Sequence, residues 1–273
     1  MEHASLLREV LERTGLIATL LALIVALEVR TRCGDYSLKS RLRGVAIHLT
    51  ATMAGAVTAW FLKGVWQSVG RPPLFTVPLG HWLHWAGPFG ILLSAFIALL
   101  VTDFFGYWYH RIQHTLLWPV HAVHHSVEEL HSASSYGHFS DELFRFIFMA
   151  IPMSLMPVDA ADLPILGLLI TVSQFYIHSP TKLHFGPLRR VFTDNRYHRI
   201  HHSLEPRHFN RNFGTTFTVW DQVFGTAYFP QPDEWPDTGL DDMREPRTLW
   251  EWATFPIRFL RRADAAGPVR EAC

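Results

Sequence analysis

Three long uncharged runs constrain this chain more than any other feature. Thr14 to Leu27, Gly44 to Leu62 and Ala86 to Thr102 contain no Asp, Glu, Lys or Arg. Such runs read as transmembrane helices, whose backbone hydrogen bonds are all internal. The first is short, nearer in length to a signal-peptide core. Its leading segment, Met1 to Arg13, is not net positive, however, and no small-x-small cleavage site precedes Arg30. The expectation is a retained first helix with Arg13 and Glu28 reaching toward the interfaces. A fourth apolar stretch, Phe146 to Ile177, is interrupted by Pro152, Pro157, Asp159, Asp162 and Pro164. Each arm is too short for a comfortable crossing, so it predicts a hairpin returning to the same face or two strongly tilted spans.

Composition agrees with bilayer contact. Hydrophobic residues make up 49% and charged residues 18%, with 10 Trp and 20 Phe. Net charge is zero, which gives no global basic field for nucleic acid. Cys33 and Cys273 are the only cysteines, too few for a thiolate cluster or disulfide framework, and read as free thiols.

Lys and Arg are unevenly distributed. Arg30, Arg32, Lys39, Arg41 and Arg43 follow the first run, whereas only Lys63 and Arg71 follow the second. Seven more lie between Lys182 and Arg211. The positive-inside rule therefore puts the first loop and the 182–211 region in the cytoplasm. The expected fold class is all-α: a multi-span helical bundle with a cytoplasmic, histidine-rich cap. The expected division is 1–100 as the N-terminal transmembrane region, 101–229 as the catalytic unit and 230–273 as a cytoplasmic or interfacial tail.

The histidines carry the chemistry. His110 and His114 are i,i+4 neighbours, and His121, His124 and His125 follow an i, i+3, i+4 pattern that His198, His201 and His202 repeat. On helices this spacing puts the members of each cluster on one face. One H-x-x-x-H alone would read as a wet helix face, but three clusters point to metal. Imidazole suits Fe, Zn, Cu and Ni, so residue type does not choose the ion. Eight imidazoles exceed the four of a structural zinc, which suggests two ions, and iron supplies redox steps that zinc cannot. Asp103, seven residues before His110, either accepts an imidazole N–H from a ligand or solvates a helix end. His48 is a structural polar group within a span or lines the site. His81 and His84 are expected across the membrane from the metals.

These residues resemble the fatty acid hydroxylase/sterol desaturase superfamily, marked by H-x3-H, H-x2-H-H and a second H-x2-H-H. The match runs from about Asp103 to Phe229. It is supported by Tyr109-His110-Arg111, Leu117-Trp118, Ser126 and Trp220-Asp221-Gln222-Val223-Phe224-Gly225-Thr226, which is similar to a closing W-D-x-x-F-G-T. The sequence departs from the family at Asn210, where an acidic residue often precedes an N-Y-G triplet, here Asn212-Phe213-Gly214. The resemblance implies a membrane di-iron oxygenase using O2 and two electrons to hydroxylate or desaturate an unactivated C–H bond. It also implies His178 as a further ligand, with His138 and His184 as weaker candidates. Without a flavin, haem or ferredoxin signature, electrons are expected from a separate reductase. The site's position favours a lipid, sterol or other long apolar substrate. The implied membrane is the inner membrane of a bacterium or the endoplasmic reticulum of a eukaryote.

Other classes fit less well. A zinc hydrolase wants H-E-x-x-H, and Arg111, Ile112 and Gln113 stand between His110 and His114. A transporter places ionisable groups mid-membrane along a path. A non-catalytic metal-binding membrane protein is the remaining alternative. In the tail, Leu249-Trp250-Glu251-Trp252 with Phe255, Ile257 and Leu260 beside Arg258, Arg261 and Arg262 suits either a segment on anionic lipid or packing onto the cap.

Overall fold

The computed structural model describes residues 2–32, 36–158 and 164–265. Cys33, Cys273, Asp159 and Asp162 lie outside the described residues. The architecture is all-helical, as expected, with four isolated bridges and no strand among the described residues.

Helices α1 (Glu2–Thr31), α2 (Leu38–Val69) and, after the short α3 (Leu79–Leu83), α4 (Gly87–Gln113) form the long bundle. The apolar segments Leu6–Thr31, Leu38–Val69 and Leu79–Gln113 have 26, 32 and 35 residues, each long enough to cross a membrane. Each exceeds its uncharged run, and at the cap end the extension carries charges that are buried, namely Glu28 on α1, Arg41 on α2 and Asp103 on α4. Glu28 of α1 and Arg41 of α2 form a fully buried ion pair, and Glu28 also accepts from the Ser132 amide at 2.9 Å. A buried pair is tolerable only when its remaining lone pairs are bonded in this way. Gly44 lets α2 approach the 132–134 turn, since a Cβ there would stand 2.7 Å from the Ala133 carbonyl oxygen.

The remaining helices build the cap and a hairpin. They are α5 (Trp118–His125), α6 (Asp141–Arg145), α7 (Ile151–Leu155), α8 (Pro164–Ile177), α9 (Asn195–His201), α10 (Val219–Val223), α11 (Leu249–Ala253) and α12 (Phe255–Ala265). A π-helical segment, Phe146–Ala150, joins α6 to α7. Each hairpin arm is therefore about 22 Å long at 1.5 Å per residue, short of a bilayer core. The first arm nevertheless runs deep: the Leu74 amide bonds the Leu155 carbonyl at 2.8 Å and the Val77 amide bonds the Pro157 carbonyl at 3.0 Å. Its tip thus meets the α2–α3 connection, at the opposite end of the bundle from the histidines.

The α1–α2 connection lies at the histidine end. Ser37 donates to Glu129 through its amide at 2.7 Å and its hydroxyl at 2.9 Å. The Lys182 amide bonds the Thr31 carbonyl at 2.7 Å. The tail closes the cap from outside: Met243, Trp252 and Phe255 share one core cluster with Ile47 of α2 and Ala122, Val123 and Val127 on and just beyond α5.

Candidate metal centre

Four elements deliver nine imidazoles to one volume. The end of α4 carries His110 and His114, α5 carries His121, His124 and His125, and His178 follows α8 directly. Helix α9 with its capping residue supplies His198, His201 and His202. Asp194 caps α9 by accepting the Tyr197 amide at 3.0 Å. Asn195 ties the helix start to the segment after His178, donating to the Ser179 and Thr181 carbonyls at 3.0 and 2.6 Å.

The nine divide into two adjacent groups. His110, His114, His121, His125 and His201 form one; His124, His178, His198 and His202 form the other. Within each, the candidate ligand atoms all lie within 4.8 Å of one another. Among the described residues neither group includes a carboxylate. Closely facing nitrogens set the geometry. His110 and His121 bring their Nε2 atoms to 3.2 Å, as do His114 and His201. The Nε2 atom of His178 is 3.1 Å from that of His124 and 3.0 Å from that of His198.

The tautomers decide what these contacts are. Nδ1 of His110 donates to the Phe213 carbonyl at 2.8 Å, and Nδ1 of His201 to the Arg211 carbonyl at 2.8 Å. Nδ1 of His124 donates to the Tyr136 carbonyl at 3.1 Å, and Nδ1 of His178 to the Gln174 carbonyl at 2.7 Å. A carbonyl only accepts, so in these four neutral rings the proton sits on Nδ1 and Nε2 keeps a bare lone pair. His124 and His178 thus point two lone pairs at each other, an arrangement with no hydrogen bond in it. A cation between them removes the conflict. Two nitrogens at about 2.1 Å from one ion stand roughly 3.0 Å apart at right angles and roughly 3.4 Å apart at the tetrahedral angle. The observed contacts fall in that interval. Nε2 of His125, buried in the first group, finds no hydrogen-bond partner among the described residues. The residues present therefore fit two nitrogen-bound cations.

Electrostatics prepares the same state. Burial, then neighbouring imidazoles, holds His121, His125, His198, His201 and His202 well below the usual histidine range. Neutral rings are the form that binds metal.

Several candidates stand apart from both groups. Asp103 does not receive an imidazole N–H; its oxygens accept the Thr216 and Phe217 amides at 3.1 and 3.2 Å. The reason is length, since seven helical residues span about 10 Å, which takes Asp103 out of reach of the His110 ring. His138 is bound to Ser140 at 2.7 Å and to the Ala253 carbonyl at 3.2 Å. His184 is exposed and accepts the Gly186 amide at 3.1 Å. His48 packs on Phe175, with ring centroids 5.2 Å apart. His81 and His84 stack on each other at the far end of α4, with centroids 5.5 Å apart.

The residues that aim the ligands were not visible in the spacing. Asp221 is fully buried and accepts the Phe213 amide at 2.9 Å, the Gly214 amide at 2.8 Å and the Thr226 hydroxyl at 2.6 Å. Asn212 donates to the Tyr197 and Tyr228 carbonyls at 2.9 and 2.8 Å, in a left-handed conformation (φ 60°) that Asn tolerates. A Cβ on Gly214 would meet the Phe217 carbonyl oxygen at 2.2 Å, so only glycine fits. Together they fix the loop whose Arg211 and Phe213 carbonyls orient His201 and His110. On the other side, Asp141 accepts from the Tyr109 hydroxyl and from Gln113, both at 2.6 Å, and from Arg145 at 3.1 Å. That pins the last turns of α4. The closing W-D-x-x-F-G-T was a signal for Asp221; nothing in the sequence pointed to Asp141.

Comparison with known proteins agrees with this geometry. Residues 95–226 match the fatty acid hydroxylase family. Ornithine lipid hydroxylase of Rhizobium tropici is 31% identical over 59% of this chain and 49% of its own length. Alkylglycerol monooxygenase of Xenopus tropicalis is 29% identical over 56% of this chain and 33% of its own. A very-long-chain aldehyde decarbonylase of Oryza sativa subsp. indica is 25% identical over 56% of this chain and 26% of its own. The chain thus spans half or less of the length of these relatives. No solved structure matches. The histidine boxes, their order and the closing motif agree with these matches, which together support the fatty acid hydroxylase/sterol desaturase superfamily.

Proposed function

We propose that the protein is a membrane-bound di-iron oxygenase that hydroxylates, or desaturates, an unactivated C–H bond of a lipid or other long apolar substrate. The observation that carries the reading is the pair of all-histidine groups in which Nε2 atoms face one another at 3.0–3.2 Å, with bare lone pairs on both rings at His124 and His178. His110, His114, His121, His125 and His201 would hold one iron; His124, His178, His198 and His202 would hold the other. When bound, the iron pair supplies the redox chemistry that couples O2 and two electrons to attack on carbon.

The chain's own contribution is positioning. The Phe213, Arg211, Tyr136 and Gln174 carbonyls fix four rings in the Nδ1–H tautomer, leaving Nε2 free to ligate. The loop tied by Asp221 and Asn212 keeps two of those carbonyls in place. Burial of the rings excludes bulk water, which favours selective chemistry on an unreactive bond.

The relatives' names speak of an ornithine lipid, an alkylglycerol and a very-long-chain aldehyde, which supports a long-chain amphiphile as substrate here. The basic residues of the first loop and of 182–211 support a cytoplasmic cap. Electrons would then come from a separate donor protein on that side. The test is a lipid profile of cells with and without the protein, grown under heavy-oxygen gas. A lipid that gains one heavy oxygen atom, or loses two hydrogens, only when protein and O2 are both present is the expected result. Identical lipid profiles under both conditions contradict the proposal.

A further inference from the structure

The last helix divides its surface three ways. At about 100° per residue, Phe255 and Phe259 face the core, Ile257 and Leu260 share the next flank, and Arg261, Arg258 and Arg262 form a basic flank. Ile257 and Leu260 are 53% and 50% exposed, and Trp250, on the preceding α11, is 76% exposed. Arg258 and Arg262 also line a groove of about 360 Å³ with Asp241, Asp242, Met243 and Arg244. Neither feature touches the metal groups.

Placement says what covers this face. Trp252 and Phe255 pack with Ile47, against which Ala51 of α2 also rests. Trp252 donates from Nε1 to the Gly137 carbonyl at 3.0 Å, and its ring centroid lies 5.7 Å from that of Phe139, two residues before the first hairpin arm. Helices α11 and α12 therefore sit where α2 and the hairpin leave the cap for the membrane. An apolar flank beside a basic flank at that level matches the acyl and phosphate layers of one leaflet.

We propose that α11 and α12 rest on the leaflet next to the cap and that the groove binds the head group of an anionic phospholipid. Trp250, Ile257 and Leu260 enter the acyl boundary. Arg258 and Arg262 take the phosphate beside Arg244, which is paired with Glu251 at 2.9 Å, and Asp241 and Asp242 accept hydroxyl donors beside it, as a glycerol head group carries.

The test uses the full chain in nanodiscs, with Cys33 and Cys273 replaced by Ser and a polarity-sensitive dye on Ile257→Cys. The discs hold phosphatidylcholine with a rising share of phosphatidylglycerol, and brominated acyl chains serve as quencher. The dye should be quenched increasingly as phosphatidylglycerol rises. Arg262→Gln should raise the share needed for half-maximal quenching roughly fivefold, and replacing Arg244, Arg258 and Arg262 together by Gln should keep quenching from reaching half its maximum. Arg262→Gln alone provides the milder case should the triple variant fold poorly. The control, Arg190→Gln with Arg207→Gln, should leave the curve in place. A dye that stays unquenched in every mixture overturns the membrane placement. A curve unmoved by Arg262→Gln and by the triple variant, or moved equally by the control, overturns the head-group site.

Discussion

Replacing Asp221 by Asn tests how the ligands are aimed without touching a ligand. The carboxylate accepts three hydrogen bonds, at 2.9, 2.8 and 2.6 Å, from Phe213, Gly214 and Thr226. An amide keeps one acceptor oxygen and presents N–H groups where the other was. The least costly placement puts oxygen toward Phe213 and Thr226 and nitrogen toward Gly214, losing one charge-assisted bond and opposing two donors. A hydrogen bond to a charged group contributes about 1.5–3 kcal/mol, so stability should fall by that order. Because Phe213 also presents its carbonyl to His110, affinity at the first metal group should fall about 10–100-fold, the usual loss when a ligand's outer partner moves. The assay is metal titration of the metal-free protein beside its denaturation curve. Asp103→Asn is the comparison. It disturbs the Thr216 and Phe217 amides but not the Phe213 carbonyl, so it should cost stability with a much smaller change in metal affinity. Equal metal affinity in wild type and Asp221→Asn, with the protein folded, would refute the reasoning.

Three other outcomes follow from the same geometry. His201→Ala should deplete metal mainly from the five-histidine group and His178→Ala mainly from the four-histidine group, while His84→Ala leaves metal content unchanged; elemental analysis reads all three. Metal-free protein should lose stability as pH falls below about 6.5, the usual histidine value. Burial depresses the folded-state values, so the unfolded chain binds more protons there and denaturation midpoints drop with pH; midpoints that stay flat or rise would contradict this. Cysteines placed at the exposed Ser37 and Asp233 should label from one side of the membrane and a cysteine at the exposed Pro72 from the other, with Ser37 and Asp233 on opposite sides as the contrary result.

Much of this is legible in the residues themselves, for identifiable reasons. Helical spacing puts eight histidines on three faces before any coordinates exist, because i, i+3 and i+4 positions coincide on a helix whatever its surroundings. Spacing cannot add His178 to them or divide the nine into five and four, since that depends on how α4, α5, α8 and α9 cross. The spans are recognisable from their uncharged stretches, but their lengths are not. Glu28 and Asp103 look like helix ends in sequence, yet they are buried continuations that accept amides far along the chain. Asp141 is the clearest case of what remains hidden. A lone carboxylate in a polar loop has no pattern, and its role depends on Tyr109 and Gln113 arriving from α4. The tail shows the reverse: its apolar and basic composition reads as either interfacial or packed, and α11 and α12 turn Trp252 and Phe255 to the core while leaving Trp250, Ile257 and Leu260 exposed.

Iron stoichiometry of the purified full chain tests the central claim most directly. Protein made in iron-replete medium, handled without oxygen and measured by elemental analysis, should carry close to two iron atoms per chain in the wild type. It should carry close to one in His178→Ala. One tightly held ion per chain in the wild type, or zinc with no iron under any loading condition, would contradict the account of two neighbouring iron sites.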